Sequence, residues 1–130
     1  MPAARLRHFA IRVNDIEAAA RFYQDVFGLE RVGQETLSIG SGIYLSDGVV
    51  NLALLSSTVG TKAGEAPGAN HFGFIVDDVQ AAGKAIEAHG GQFFFSLGDP
   101  DKKNGELKYK DPEGVVFDIS KHGWLGNDSV

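Results

Sequence analysis

An α+β fold of two tandem βαβββ modules, forming one curved mixed sheet around a shared cavity, is predicted by three observations. The first is an internal repeat at a spacing of 63. His8-Phe9-Ala10-Ile11-Arg12-Val13-Asn14-Asp15-Ile16-Glu17-Ala18-Ala19 lies over His71-Phe72-Gly73-Phe74-Ile75-Val76-Asp77-Asp78-Val79-Gln80-Ala81-Ala82, sharing the His, the first Phe, the Val, the helix-start Asp and both Ala. The second is that each copy passes from a strand pattern into a helical one. The third is a set of three short β-type runs after each helix. The chain reads as a single domain over residues 1–130, with modules at about 5–57 and 69–122.

The elements follow in order. The first strand of each module begins around its repeated His. Asn14 or Asp15 can cap the first helix and Asp77 or Asp78 the second, because a side-chain oxygen there accepts from free N–H groups of the first turn. Ile16, Ala20, Tyr23 and Phe27 recur at helical spacing and make one apolar face, as do Val79, Ala82 and Ile86. Gly28 and Gly90 stand where a left-handed helix end is expected. Strands then follow at Glu30–Gln34, Gly42–Leu45 and Val49–Leu55, with Ser46-Asp47-Gly48 as the hairpin turn between the last two. The second set is Gln92–Leu97, Glu106–Lys110 and Val115–Ser120, with Asp111-Pro112-Glu113-Gly114 as its turn. Residues 56–69, rich in Ser, Thr, Gly, Ala and Pro, read as a linker. One such module has an open sheet and too little core. Two can bury those faces by closing around a common space.

Composition narrows the function. Hydrophobic residues at 43% and charged residues at 22% are ordinary for a soluble globular chain. A net charge of −5 and the absence of a basic block argue against nucleic acid as a partner. No apolar run approaches the roughly 18 residues a membrane span needs, and no signal-peptide pattern is present, so a cytoplasmic location is expected. With no cysteine, disulfides and thiolate metal sites are excluded.

His8 and His71 are the most informative residues. Neutral imidazole is a common metal ligand, and the repeat places the two at equivalent positions. Either alone reads rather as a half-buried histidine with ordinary partners; the pair in repeat register points to a shared role. Asp118 interrupts the apolar run of the last strand, where Val116, Asp118 and Ser120 share a face. A buried carboxylate there is costly unless it is paired or bound to metal; the alternative is a solvated strand end. His122 keeps the parity of Asp118. It is a candidate general acid/base, a partner to a ligand or a substitute ligand, or else belongs with Trp124 to a simple strand end. His89 fits a helix C-terminus. Tyr44, Tyr109 and Phe93-Phe94-Phe95 are candidates to line the cavity or to fill the core.

His8-Phe9-Ala10-Ile11-Arg12-Val13, Phe22-Tyr23 through Phe27-Gly28-Leu29, His71-Phe72-Gly73-Phe74, and Asp111-Pro112-Glu113-Gly114 followed by Asp118 together resemble the glyoxalase/bleomycin-resistance/dioxygenase (vicinal oxygen chelate) superfamily over nearly all of residues 5–122. The resemblance implies metal ligands at His8, His71 and Asp118, with Asp118 replacing the usual Glu. The fourth ligand position falls within Val50–Leu54, where Asn51 or Ala53 stands instead of Glu or Gln, and the preferred alignment gives Ala53. Two His and a carboxylate suit Fe, Mn, Ni or Zn with open positions. The resemblance further implies a small oxygen-bearing substrate activated by that metal in lyase/isomerase or dioxygenase chemistry, and a homodimer; around such a substrate, contacts from Asn51, Ala53, Tyr44, Phe94 and Tyr109 and a catalytic role for His122 are expected. The rival reading is a metal-free binding protein of the bleomycin-resistance kind, and a weaker third is a domain whose site has decayed.

Overall fold

The computed structural model describes residues 4–37, 40–56, 67–98 and 105–122; most of the expected linker, residues 57–66, and Trp124 lie outside them. The element order is β1 (Ala4–Arg12), α1 (Ile16–Phe27), β2 (Glu30–Leu37), β3 (Gly40–Ser46), β4 (Asn51–Leu55), β5 (Gly68–Val76), α2 (Val79–Ala88), β6 (Gln92–Leu97), β7 (Glu106–Lys110) and β8 (Val116–Ser120). This is βαβββ twice. The strands form one eight-stranded sheet in the order β2-β3-β4-β1-β5-β8-β7-β6. The modules meet where β1 and β5 pair antiparallel, and each of these strands pairs parallel with the last strand of its own module. The two repeated first strands therefore lie side by side at the centre of the sheet.

Local chemistry sets the boundaries. The Asp15 side chain accepts from Ala18 N at 3.0 Å to start α1, and Gly28, at φ 71°, ends it by donating to the Gln24 carbonyl. Asp78 caps α2 by accepting from Gln80 N and Ala81 N. The turn after β3 is longer than expected, so β4 begins at Asn51, because the Asp47 carboxylate takes the N–H groups of both Val49 and Val50 at 2.8 Å. Asp111 does the same for Glu113 and Val115, and β8 begins at Val116.

Both helices cover one face of the sheet. Ala20 of α1 packs with Ile43, Leu45 and Leu54, ringed by Ile16, Ala19 and Tyr23. Val79, Ala82 and Ile86 of α2 pack on Val76, Tyr109 and Ile119. Each large apolar side chain fully buried in this way contributes about 1.5–3 kcal/mol. Because side chains alternate along a strand, the residues between these core positions, including His8, Asn51, Lys108 and Asp118, point to the face turned away from the helices.

Candidate functional site

His8 on β1, His71 on β5 and Asp118 on β8 converge on that face, at the seam between modules. Their candidate ligand atoms lie within 4.8 Å of one another, and on spacing alone they could hold a metal ion. The His8 and His71 rings meet edge to face with centroids 5.2 Å apart. Asp118 Oδ2 is 3.4 Å from His8 Nε2 and 3.3 Å from His71 Nε2. Gly73 makes this convergence possible. It faces His8 across the β1–β5 pairing and Asp118 across the β5–β8 pairing, and a Cβ there would run into both side chains.

Three charged residues complete the centre. Lys108 pairs with Asp118 in the β7–β8 register, and its ammonium lies 2.7 Å from Asp118 Oδ2, 3.0 Å from Glu106 Oε1 and 3.1 Å from His71 Nε2. Arg7 Nη1 contacts Glu106 Oε2 at 2.5 Å and stands 3.7 Å from Asp118 Oδ1. Arg7 reaches this face because the β1–β5 register slips between Leu6 and His8; such a bulge re-aims a side chain. Arg7, His8, Glu106, Lys108 and Asp118 are all at most 4% exposed, so the charges are screened by one another and not by water.

Electrostatics follow from this packing. Burial alone would raise the Asp118 carboxyl, but His8, then Lys108 and His71, hold it well below the usual carboxylate range. Burial and the charge of Asp118 push Glu106 up, and Lys108, His8 and Arg7 outweigh them. Burial lowers Lys108, yet Glu106 and Asp118 raise it above an ordinary lysine. His71 is pushed down to about 3, first by burial and then by Lys108. Its neutral tautomer is fixed by its neighbours: Nδ1–H donates to Asn70 Oδ1 at 2.5 Å, which leaves the Nε2 lone pair to accept from Lys108.

The donor set matches a divalent ion in type but not in charge or space. Ligand bonds to such an ion are roughly 2.0–2.2 Å long, which would put it against the Lys108 ammonium. Arg7 and Lys108 already balance Glu106 and Asp118, and a further double charge in this buried place has no partner. With Lys108 where it is, these residues do not fit a divalent metal.

The remaining candidates are distributed unevenly. Asn51 is buried opposite His8, and Ala53 opposite Ala10. Ala10 is the repeat counterpart of Gly73, and Gly73 faces Asp118, so Ala53 occupies the first module's equivalent of Asp118. Tyr44 faces Ala53 as Lys108 faces Asp118. It packs with Ala10 and Ala53 and donates its hydroxyl to Glu35 Oε1 at 2.5 Å; burial first, then this bond, raises the phenol far above its ordinary value. Phe94 sits at a register slip of the edge strand β6, with the Lys110 ammonium 4.3 Å from its ring centroid. Tyr109, expected among the cavity residues, belongs to the opposite face: it stacks on Phe117 and packs with Val76 and Ile119 beneath α2, because it alternates with Lys108 along β7. His122 is half-buried just beyond β8, its backbone N–H donating to Ser120 Oγ. His89 ends α2 with Nδ1 2.8 Å from the Ala85 carbonyl oxygen, as its helix-end position implied.

The sequence reading found the two histidines and the aspartate and missed Arg7, Gly73, Glu106 and Lys108. One signal was available for Lys108. Counting back through the Asp111–Gly114 turn puts Lys110 opposite Val116 and therefore Lys108 opposite Asp118.

Comparison with known proteins agrees with this architecture. A family model described as the Glyoxalase/Bleomycin resistance protein/Dioxygenase superfamily matches residues 5–119. A Brassica oleracea var. gemmifera protein named as a lactoylglutathione lyase is 30% identical over 92% of this chain and 45% of its own length. A Vibrio parahaemolyticus protein, also named as a lactoylglutathione lyase, is 27% identical over 92% of this chain and 91% of its own. The chain thus spans about half the length of the plant relative and nearly all of the bacterial one. A Streptomyces coelicolor methylmalonyl-CoA epimerase variant, solved with 2-nitronate-propionyl-CoA, superposes with a TM-score of 0.70 at 23% identity, covering 88% of this chain and 94% of that one.

Proposed function

The chain belongs to the glyoxalase/bleomycin resistance/dioxygenase superfamily, and from that premise we propose that it is an enzyme of the lyase/isomerase class that moves a proton next to a carbonyl of a small oxygen-bearing substrate. The observation that supports this is the buried cluster of Arg7, His8, His71, Glu106, Lys108 and Asp118 on the helix-free face. Its side chains provide both parts such a reaction needs. The Lys108 ammonium is a fixed positive charge beside which a developing enolate oxygen is stabilised. The neutral His71 presents a lone pair at Nε2, and its contact with Lys108 is the longest of the three the ammonium makes. A substrate oxygen inserted there would draw off one N–H and leave His71 to carry the proton. His122 is the other candidate proton carrier. Dioxygenase chemistry on Fe, Mn, Ni or Zn would first require Lys108 to withdraw.

The experiment is deuterium uptake from D2O, followed by NMR, into the compound classes named for the relatives, S-lactoylglutathione and methylmalonyl-CoA. Uptake is expected for at least one of them, with a loss of about 100-fold or more in His71→Ala and Asp118→Asn. Uptake that survives in both variants contradicts the assignment. The second reading, a metal-free binding protein, is favoured by the mutual pairing of the buried charges; saturable binding without uptake would establish it.

We also propose the homodimer and the cytoplasmic setting. Phe22, Val26 and Phe27 stand 55–65% exposed along α1, a surface suited to a second copy. Sedimentation at micromolar concentration checks the dimer, and fractionation of the source cells checks the compartment.

A further inference from the structure

We propose that Lys108 is the built-in cation of this site, taking the place of the divalent metal, so that the chain assembles its centre without a metal ion. This deepens the reading above by naming the cation of the same centre. Its test reads metal binding and not turnover, so either can fail alone.

Three independent features carry the inference. The first is position. The ammonium touches Asp118 and His71, two of the three residues whose spacing suits an ion, and the third, His8, is itself 3.4 Å from the same Asp118 oxygen. The second is valence. An ammonium has three N–H donors, and three acceptors surround it at 2.7, 3.0 and 3.1 Å: Asp118 Oδ2, Glu106 Oε1 and His71 Nε2. It gathers two carboxylates and an imidazole lone pair as a metal gathers ligands. The third is charge. A metal site with two neutral imidazoles and one carboxylate calls for a net positive ion, whereas here Arg7 and Lys108 already neutralise Glu106 and Asp118. Glu106 is the telling partner, because it accepts from both cations and binds Lys108 to Arg7. The first module has no equivalent of this pair: the counterparts of Asp118 and Lys108 there are Ala53 and Tyr44. A fourth ligand is missing where the fourth ligand is not needed.

The test begins with wild-type protein purified without a His tag. Elemental analysis should find well under one divalent ion per chain, and Ni2+, Zn2+ or Mn2+ should leave its melting temperature unchanged. Lys108→Met keeps the side-chain length and removes the charge. It should bind Ni2+ or Zn2+ about 100-fold more tightly than wild type, since a neighbouring positive charge opposes the ion strongly at this range, and its melting temperature should rise with metal. Should the single variant fail to fold, Lys108→Met/Glu106→Gln restores the charge balance and should show the same gain. A wild-type measurement stands regardless of either variant. Added Mn2+ should leave the His8 and His71 ring signals sharp in NMR spectra. One equivalent of metal in the wild type, equal metal affinity in wild type and variant, or Mn2+ broadening of both rings would overturn the proposal.

Discussion

Gly73 shows how a single residue sets the site. Its neighbours across two strand pairings are His8 and Asp118, and their side chains fill the space a Cβ would need. Gly73→Ala should therefore cost about 1–3 kcal/mol by overpacking and displace the Asp118 carboxylate. Urea unfolding checks the first and the His71 ring shifts the second; an unchanged midpoint with unchanged shifts would mean that the site has slack. At this scale His8, His71 and Asp118 were legible in the sequence, because the repeat aligns the histidines and a carboxylate in an apolar strand needs a partner. Lys108 and Glu106 were not. In Glu106-Leu107-Lys108-Tyr109-Lys110 the charges alternate with apolar residues, the pattern of a strand with one wet face. Nothing in that alternation says that the polar face meets other charges instead of water. Tyr109 was placed on the wrong face for the same reason.

The elements were read nearly as they are, because their signals are local. Of the two cap candidates before each helix, the structure uses Asp15 and Asp78. Asp78 satisfies two N–H groups at once, so Asp78→Ala should lower stability by about 1 kcal/mol, seen as a lower urea midpoint with an unchanged slope; a shift confined to exchange of terminal α2 amides would show that the helix frays alone. β2 and β3 run longer than expected, to Leu37 and from Gly40, whereas β4 and β8 start late because a side chain competes with the strand ladder. Asp47 holds Val49 and Val50 in the turn, and Asp111 holds Val115. The bulge at Arg7 was invisible from sequence. Strict alternation sets Arg7 and His8 on opposite faces, and the slipped register brings both inward.

The whole molecule combines a symmetric frame with an asymmetric centre. The frame is two modules paired through β1 and β5, while the charges come from β1, β7 and β8. This centre makes stability depend on pH with a definite sign. Unfolded Asp and Glu titrate near roughly 4 and His near roughly 6.5, whereas folded Asp118 and Glu106 lie lower and His71 lies at about 3. Below about pH 6.5 the unfolded chain takes up protons first, through His71 and then the carboxylates, so the melting temperature should fall steadily with acidification. Lys108, raised in the folded state, contributes stability that is lost only above roughly pH 10. His71→Asn should flatten the profile between about pH 7 and 5; an equally steep profile in the variant would assign the dependence to other groups. The most direct measurement is anomalous diffraction at the zinc edge from crystals grown with excess Zn2+. Continuous side-chain density from Lys108 to its three acceptors is expected, with no anomalous peak among His8, His71 and Asp118. A peak bonded to those three residues, with Lys108 turned away, would contradict it.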